Sequence, residues 1–503
     1  MNHGTMAPVS RLVDRCQRIP VLHADFLEHH AVLPIERIGD AFKVASWRES
    51  VEPRVLDDLR LVLGSDPKLE FAPEDEVRDA IRRVYAPESV SAEDMVAELP
   101  EVALVNADNA VLDDLVHLAN EAPVVKLVNL LLLEALDSRA SDVHLECRAD
   151  GLRTRYRIDG VLQDAVVPPA QLRAAVINRF KIMADLDFSE RRLPEVGRIR
   201  LRLRNRDVDV RVSTAPTLHG ESIVLRLLDR DRGSVELDEI GMQGEVLSSF
   251  RRVIAHPHGI VLATGPTGSG KTTTLYAAVG AIRTGQEKIL TVEDPVEYEL
   301  QGVPQLQVNE KAGLTFASAL RSLLRQDPDV ILVGEIRDGE TAEIATQAAL
   351  TGHLVLSTLH TNDSASALTR LMDLGVPSYL VGTTVQAVLA QRLVRVICRH
   401  CSEPTVIDQK IRDHLGAVAN DLTSAHRGAG CADCRNTGFR GRTGVYELLL
   451  TTEPIRAAMT QGVPAAELRA IASQSGMSTL RDDALRLVRA GVTTADEVLR
   501  ITA

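Results

Sequence analysis

Residues 259–282 read GIVLATGPTGSGKTTTLYAAVGAI, and no other stretch of the 503-residue chain narrows the possible folds so far. An apolar run leads into a glycine-rich turn of the form G-x-x-x-x-G-K-T, and a helix-forming run follows. That order is the strand, phosphate loop and helix of a nucleoside triphosphate site. Glycines let successive backbone N–H groups wrap phosphate oxygens, and the helix N-terminus adds the positive end of its dipole. Gly265, Pro266, Thr267, Gly268, Ser269, Gly270, Lys271 and Thr272 are therefore the candidate ATP-binding residues. Lys271 would reach the β- and γ-phosphates, and Thr272 would hold Mg²⁺.

Strands and helices alternate beyond the loop, which is the pattern of a parallel α/β sheet. KILTVEDPVEY ends its apolar run at Glu293 and Asp294, and DPDVILVGEIRD (327–338) ends at Glu335. The second resembles a Walker B strand with Glu where Asp is usual. Either Glu293 or Glu335 could orient or deprotonate an attacking water. TGHLVLSTLHTND (351–363) ends in Thr358, His360 and Asn362. Ligands sit at the carboxyl ends of strands in open parallel sheets, so His360 is a candidate γ-phosphate sensor.

Cys398 and Cys401 form one CxxC pair, and Cys431 and Cys434 form a second. Two such knuckles make a closed Cys₄ zinc site, although the spacer of residues 402–430 is longer than the roughly 15–20 residues usual for such pairs. Arg395, Arg399, Arg427 and Arg435 lie close in sequence to offset the thiolate charge. Cys16 and Cys147 read as plain thiols. No secretion signal is visible, so the cysteines point to a reducing compartment and to metal rather than disulfides. No apolar run reaches the length of a membrane span, and VVKLVNLLLLEAL (124–136) reads as a buried helix. A formal charge of −13 disfavours a sequence-independent hold on nucleic acid.

Upstream, residues 1–100 read as a small mixed domain, with helical spacing at 53–64 and 72–85. Residues 87–110 are acidic and weakly patterned, as in a linker. A second domain, α+β in character, spans 111–229, with Asp159–Gly160 as a hairpin signal. In RIRLRLRNRDVDVRVS (198–213) apolar residues alternate with Arg200, Arg202, Arg204, Asp209 and Arg211 on the opposite face, and most of these arginines, Arg211 set apart, read as a solvated sheet face. LDRDRGSVEL (228–237) suits a hinge, and the ATPase domain occupies 238–503 with a zinc element at 395–440.

Many segments in one order carry a resemblance: ASDVHLE, RYRIDG, SERRLPEVGRI, VDVRVSTAPTLHGE, TVEDPVEY, LRQDPDVILVGEIRD, TGHLVLSTLHTN, LAQRLVRVICRHC and GFRGRTGVYELL. From about residue 111 to the C-terminus the chain resembles the type II/type IV secretion ATPases, and within them the type II secretion branch. The resemblance implies a RecA-like P-loop ATPase domain that assembles as a homo-hexamer. It implies a cytoplasmic location on the inner face of the bacterial inner membrane, with membrane contact made through protein partners. Those partners are the cytoplasmic domain of a bitopic anchor protein and a polytopic platform protein, and the N-terminal domain binds partners. ATP hydrolysis would drive assembly of a pseudopilus, a translocase activity that moves folded proteins outward. Glu293 and Glu335 become the acids near Mg²⁺ and water, and His360 the His-box residue. Arg211 and Arg226 become arginine fingers from the preceding domain.

One position departs from the family. PEVGR (194–198) stands where P-Q-D-G-R is usual, and Val196 resists the positive φ of a tight turn. The nearest alternative is a type IV pilus assembly ATPase, whose N-terminal region is typically longer. A silent scaffold is disfavoured by intact Lys271, Thr272, Glu293 and Glu335, and a DNA-transfer motor by the net charge.

Overall fold

The structure is a computed structural model. It describes residues 30–84 and 122–502 apart from 39–40, 49, 52, 204–205, 230–234 and 416–424, with a few positions between 16 and 27. The chain divides into two compact units, 1–101 and 102–503. The expected linker at 87–110 and the middle of the expected hinge at 228–237 fall outside the described residues.

In the first unit β1 (Val32–Ile38) and β2 (Ala41–Ser46) pair antiparallel, and β3 (Asp66–Phe71) joins β2 in parallel. Helix α1 (Pro53–Leu63) makes the crossover, and Gly64 at φ +63° ends it, because only glycine takes that conformation without strain. Helix α2 (Glu74–Val84) follows. Val55, Leu59, Val77 and Ile81 bury their faces against Leu33, Ile35 and Val44.

The second unit opens with α3 (Ala122–Asp137), the buried apolar helix. It lies on a six-stranded antiparallel sheet of order β6-β5-β4-β9-β8-β7. These strands are β4 (Ala140–Arg148), β5 (Gly151–Ile158), β6 (Val161–Asp164), β7 (Glu195–Leu203), β8 (Arg206–Thr217) and β9 (Gly220–Asp229). Tyr156 Oη donates to Leu131 O at 3.0 Å and pins sheet to helix. Asp159 and Gly160 both take positive φ, and Ile158 pairs with Val161, as the hairpin signal requires.

One expectation for this sheet changes, and one acid on its charged face is buried. Glu195–Leu203 is continuous strand, and Val196 pairs with Ser213 in extended conformation. No turn forms at Val196, so its β-branching fits, and its side chain is exposed. Gly197 carries the steric demand instead, since a Cβ there would meet Ala184 O at 2.5 Å. That acid is Asp209. It is buried beneath Arg198, which reaches its two oxygens at 2.8 and 3.1 Å. A carboxylate so covered is stabilised by charge-assisted hydrogen bonds rather than by water.

The strands of the large sheet are β10 (Gly259–Thr264), β11 (Ile289–Glu293), β12 (Gln305–Gln307), β13 (Val330–Val333), β14 (Leu354–Leu359), β15 (Val385–Ile397) and β16 (Phe439–Leu450). Their order is β12-β11-β13-β14-β10-β15-β16, parallel except for β15 against β16. The central strands are buried on both faces, which is why they read as unbroken apolar runs. Helices α4 (Gly244–Ile254) and α5 (Lys271–Ile282) cover one face. Helices α6 (Phe316–Leu323), α7 (Gly339–Leu350) and α8 (Ser364–Asp373) cover the other. Among the described residues no helix is long and apolar enough to cross a membrane.

Candidate nucleotide site and cysteine cluster

β10 is central in the sheet, and its carboxyl end delivers the chain into the loop 265–270. Gly265, Gly268 and Gly270 sit at φ +149°, +78° and +90°, and Lys271 opens α5. Lys271 is not the surface residue a loop position implies: only 8% of it is exposed. Its Nζ donates to Gly265 O at 2.8 Å and Pro266 O at 3.1 Å, curled back on its own loop. Burial lowers its pKa to about 8, with Glu335 opposing that shift and Arg392 adding to it. Ser269 Oγ is buried and meets no partner among the described residues. A buried hydroxyl beside a ring of loop N–H groups, with a lysine at the helix start, fits a phosphate chain. Thr272, half-buried on the first turn of α5, is the residue that would hold Mg²⁺.

The two candidate acids have separated environments. Glu293, at the end of β11, is buried. Its carboxylate accepts from the Tyr276 hydroxyl, from Thr291 Oγ1 at 2.6 Å and from Gln305 Nε2 at 3.1 Å. Tyr298 closes this cage edge-on against Tyr276. Burial and the Glu293 charge push the hydroxyls of Tyr276 and Tyr298 well above the usual phenol value, the latter to about 12. Glu335, just past β13, pairs closely with Arg337 and stands 3.5 Å from His360 Nε2. Arg337 also reaches Asp294 at 3.7 Å. The structure thus gathers Lys271, Glu335 and His360 at one set of strand ends and turns the Glu293 carboxylate into a separate hydrogen-bonded cage.

Arg211 and Arg226 face each other in register on β8 and β9. Arg226 Nε meets Asp142 Oδ1 at 3.1 Å. Both guanidiniums act on Glu297, four residues beyond Glu293. Burial raises the Glu297 pKa and the two arginines oppose that rise. The antiparallel sheet therefore presents its two candidate arginines to the segment that follows β11. Its Asp159 turn also touches the end of the chain's large sheet, where Gly441 N donates to Asp159 Oδ2 at 2.8 Å.

The four cysteines converge. Cys398–Cys431 and Cys401–Cys434 Sγ separations are 3.8 Å, Cys431–Cys434 is 3.7 Å, and all four sulfurs lie within 4.8 Å of one another. A tetrahedron of Zn–S bonds of about 2.3 Å has edges of roughly 3.8 Å, so the donor set fits Zn²⁺. Gly430 N, Cys431 N and Gly438 N point at the sulfurs at 3.2–3.3 Å, which favours thiolates. The expected arginine offset is revised for Arg395 and Arg427, two of the four arginines. Arg395 pairs with Glu497 and stacks on Phe439, and Arg427 pairs with Glu403. Those charges serve carboxylates, and the N–H groups serve the sulfurs.

Comparison with known proteins bears on the family and the fold. The family model described as Type II/IV secretion system protein matches residues 117–500, and an MshEN domain model matches residues 9–91. The chain is 42% identical to a Type II secretion system protein E of Pectobacterium carotovorum subsp. carotovorum, over 96% of this chain and 97% of that one. It is also 42% identical to the type IV pilus assembly ATPase PilB of Myxococcus xanthus, over 96% and 86% of the two chains. Among solved structures, the pilus retraction motor PilT with bound ADP superposes with a TM-score of 0.52 at 26% identity. That match covers 74% of this chain and 96% of PilT.

Proposed function

The chain belongs to the type II/IV secretion system protein family, and from that premise we propose that it is the ATP-hydrolysing motor of a type II secretion apparatus. The observation that carries the proposal is the meeting of Lys271, Glu335 and His360 where β10, β13 and β14 end. Ser269, Lys271 and the loop N–H groups bind the β- and γ-phosphates, and Thr272 would hold Mg²⁺, which would offset phosphate charge. Glu335 orients the attacking water and takes its proton, because its carboxylate is the acid that acts on Lys271. Arg337 pairs closely with that carboxylate and holds it at the strand ends. His360 lies against Glu335 and senses the γ-phosphate. As the bond to the bridging oxygen breaks, negative charge grows on that oxygen, and Lys271 stabilises it.

Arg211 and Arg226 add positive charge from the antiparallel sheet once the domains close or a neighbouring copy docks. That arrangement suits a homo-hexamer, in which turnover depends on assembly. The motor acts as a protein translocase on the cytoplasmic face of the inner membrane. It engages a bitopic anchor and a polytopic platform protein rather than lipid, and the 1–101 unit takes a partner. Zinc on the cysteine cluster has a structural role, with every thiolate used and no position left for substrate.

The test is protein export from a strain whose own copy carries Lys271→Ala. Folded cargo should be retained inside the outer membrane while surface pili persist. Loss of pili with export intact would assign the chain to the pilus assembly branch, of which one ATPase is 42% identical to it.

A further inference from the structure

Arg392 lies outside the roles assigned so far, yet it touches the phosphate loop. β15 flanks β10 on the side away from β14. Ala390 pairs with Thr264, so Gln391 and Arg392 sit level with the first loop residue, Gly265. The approach is close: a Cβ on Gly265 would meet Gln391 O at 2.5 Å and Arg392 Nη1 at 3.1 Å. Nη1 of Arg392 donates to Gln391 O at 3.1 Å. Its Nη2 donates to Asn362 O at 2.8 Å. Asn362 lies two residues past His360, on the turn that leaves β14. One guanidinium therefore runs from β15 over the start of the phosphate loop to the turn that carries the γ-phosphate sensor.

The contacts are made to backbone, and they need a fork. A guanidinium offers donors pointing in two fixed directions, whereas an ammonium is a point charge that cannot hold both carbonyls in that geometry. Glu447 and Asp363 support the charge against burial, and the charge in turn acts on Lys271.

We propose that Arg392 is a positioning residue for ATP hydrolysis, clipping the His360–Asn362 turn to β15 where that strand lies against the phosphate loop, so that the γ-phosphate meets His360 and Glu335 in register. The proposal rests on the nucleotide-site reading above. A sub-ångström slip between the turn and the loop would leave nucleotide bound but misplace the groups that act on its last phosphate. Misplacement of about 1 Å can cost on the order of 100-fold in rate.

The test uses the full-length protein with Arg392→Lys and Arg392→Ala. Steady-state ATP turnover is measured beside equilibrium binding of ADP and of ATPγS. Both variants should lose about 10- to 100-fold in kcat. ADP affinity should stay at the parental value, because ADP has no phosphate at the clipped turn, and lysine should fail to rescue. Parental kcat in Arg392→Lys would mean that charge alone acts there, and the clip would be wrong. Equal losses of kcat, ADP affinity and Tm in both variants would make Arg392 a general brace, and would overturn the proposal too. If the unmodified protein bound no ADP and released no phosphate from ATP, the nucleotide-site reading would fall first and take the proposal with it.

Discussion

The Tyr276 hydroxyl, one turn beyond Lys271 on the phosphate-loop helix, donates to the carboxylate of Glu293 at the end of the neighbouring strand. Thr291 and Gln305 supply two further donors, both to the other oxygen of that carboxylate. A glutamate so satisfied is a joint between helix and strand, while Glu335 stands at the strand ends with Lys271 and His360.

The two acids should therefore fail differently. Glu335→Gln should lose about 10²–10⁴-fold in kcat, the worth of a positioned base, and keep the parental Tm. Glu293→Gln leaves the buried Tyr276 and Thr291 donors competing for a neutral amide. It should cost about 1–3 kcal/mol of stability in denaturant unfolding. Parental turnover in Glu335→Gln would remove it from the chemistry.

Nucleotide affinity should depend on pH through Lys271. Burial lowers its pKa to about 8, and bound phosphates favour the ammonium, so the complex holds a proton that the free site gives up above that pH. Affinity for ADP should be flat from pH 7 to 8 and then fall by up to about tenfold per unit, as linkage requires. Titration calorimetry in two buffers of different ionisation enthalpy should show proton uptake on binding above pH 8. Affinity that rises with pH would contradict the assignment.

Zinc should be found at one equivalent per chain by elemental analysis of protein made with metal available. Cys434→Ser should abolish it and loosen the 398–440 element, since small metal-held loops have little core of their own. The Asp159 turn rests on Gly441, so protease sensitivity should rise at that turn as well. Metal-free protein with an undisturbed element would refute the site.

Arg226→Ala and Arg211→Ala should lower kcat by roughly 10³-fold, the scale of arginine fingers elsewhere, with ADP affinity retained. Turnover of the unmodified protein should climb steeply with its own concentration, as assembly brings the arginines to bound nucleotide. A rate per chain that is independent of concentration, in a protein that sediments as a monomer, would leave the two arginines as partners of Asp142 and Glu297 only.

The loop at 265–272 and the central strands were legible in the sequence because each depends on neighbours in the chain: glycine spacing for one, apolar runs for the other. Asp159–Gly160 was legible for the same reason. What escaped depends on strands brought together from afar. Arg392 lies in an apolar strand run, and only the pairing of β15 with β10 places it on Gly265. Asp209 alternates like a solvated residue, and only the β7–β8 register covers it with Arg198. β3, DPKLEF, has no apolar alternation, since four of its six residues are exposed on an edge strand. The depth of Lys271 and the cage around Glu293 are likewise products of packing.

Phosphate release by the purified protein and by Lys271→Ala tests the account most directly. On the proposed reading Lys271 stabilises the charge that develops as the γ-phosphate leaves, and its own loop carbonyls remain able to bind water once it is gone. The account predicts steady release from the unmodified protein with Mg²⁺ and ATP, and none above background from the variant at a similar Tm. Release at the parental rate from a folded Lys271→Ala protein would contradict it.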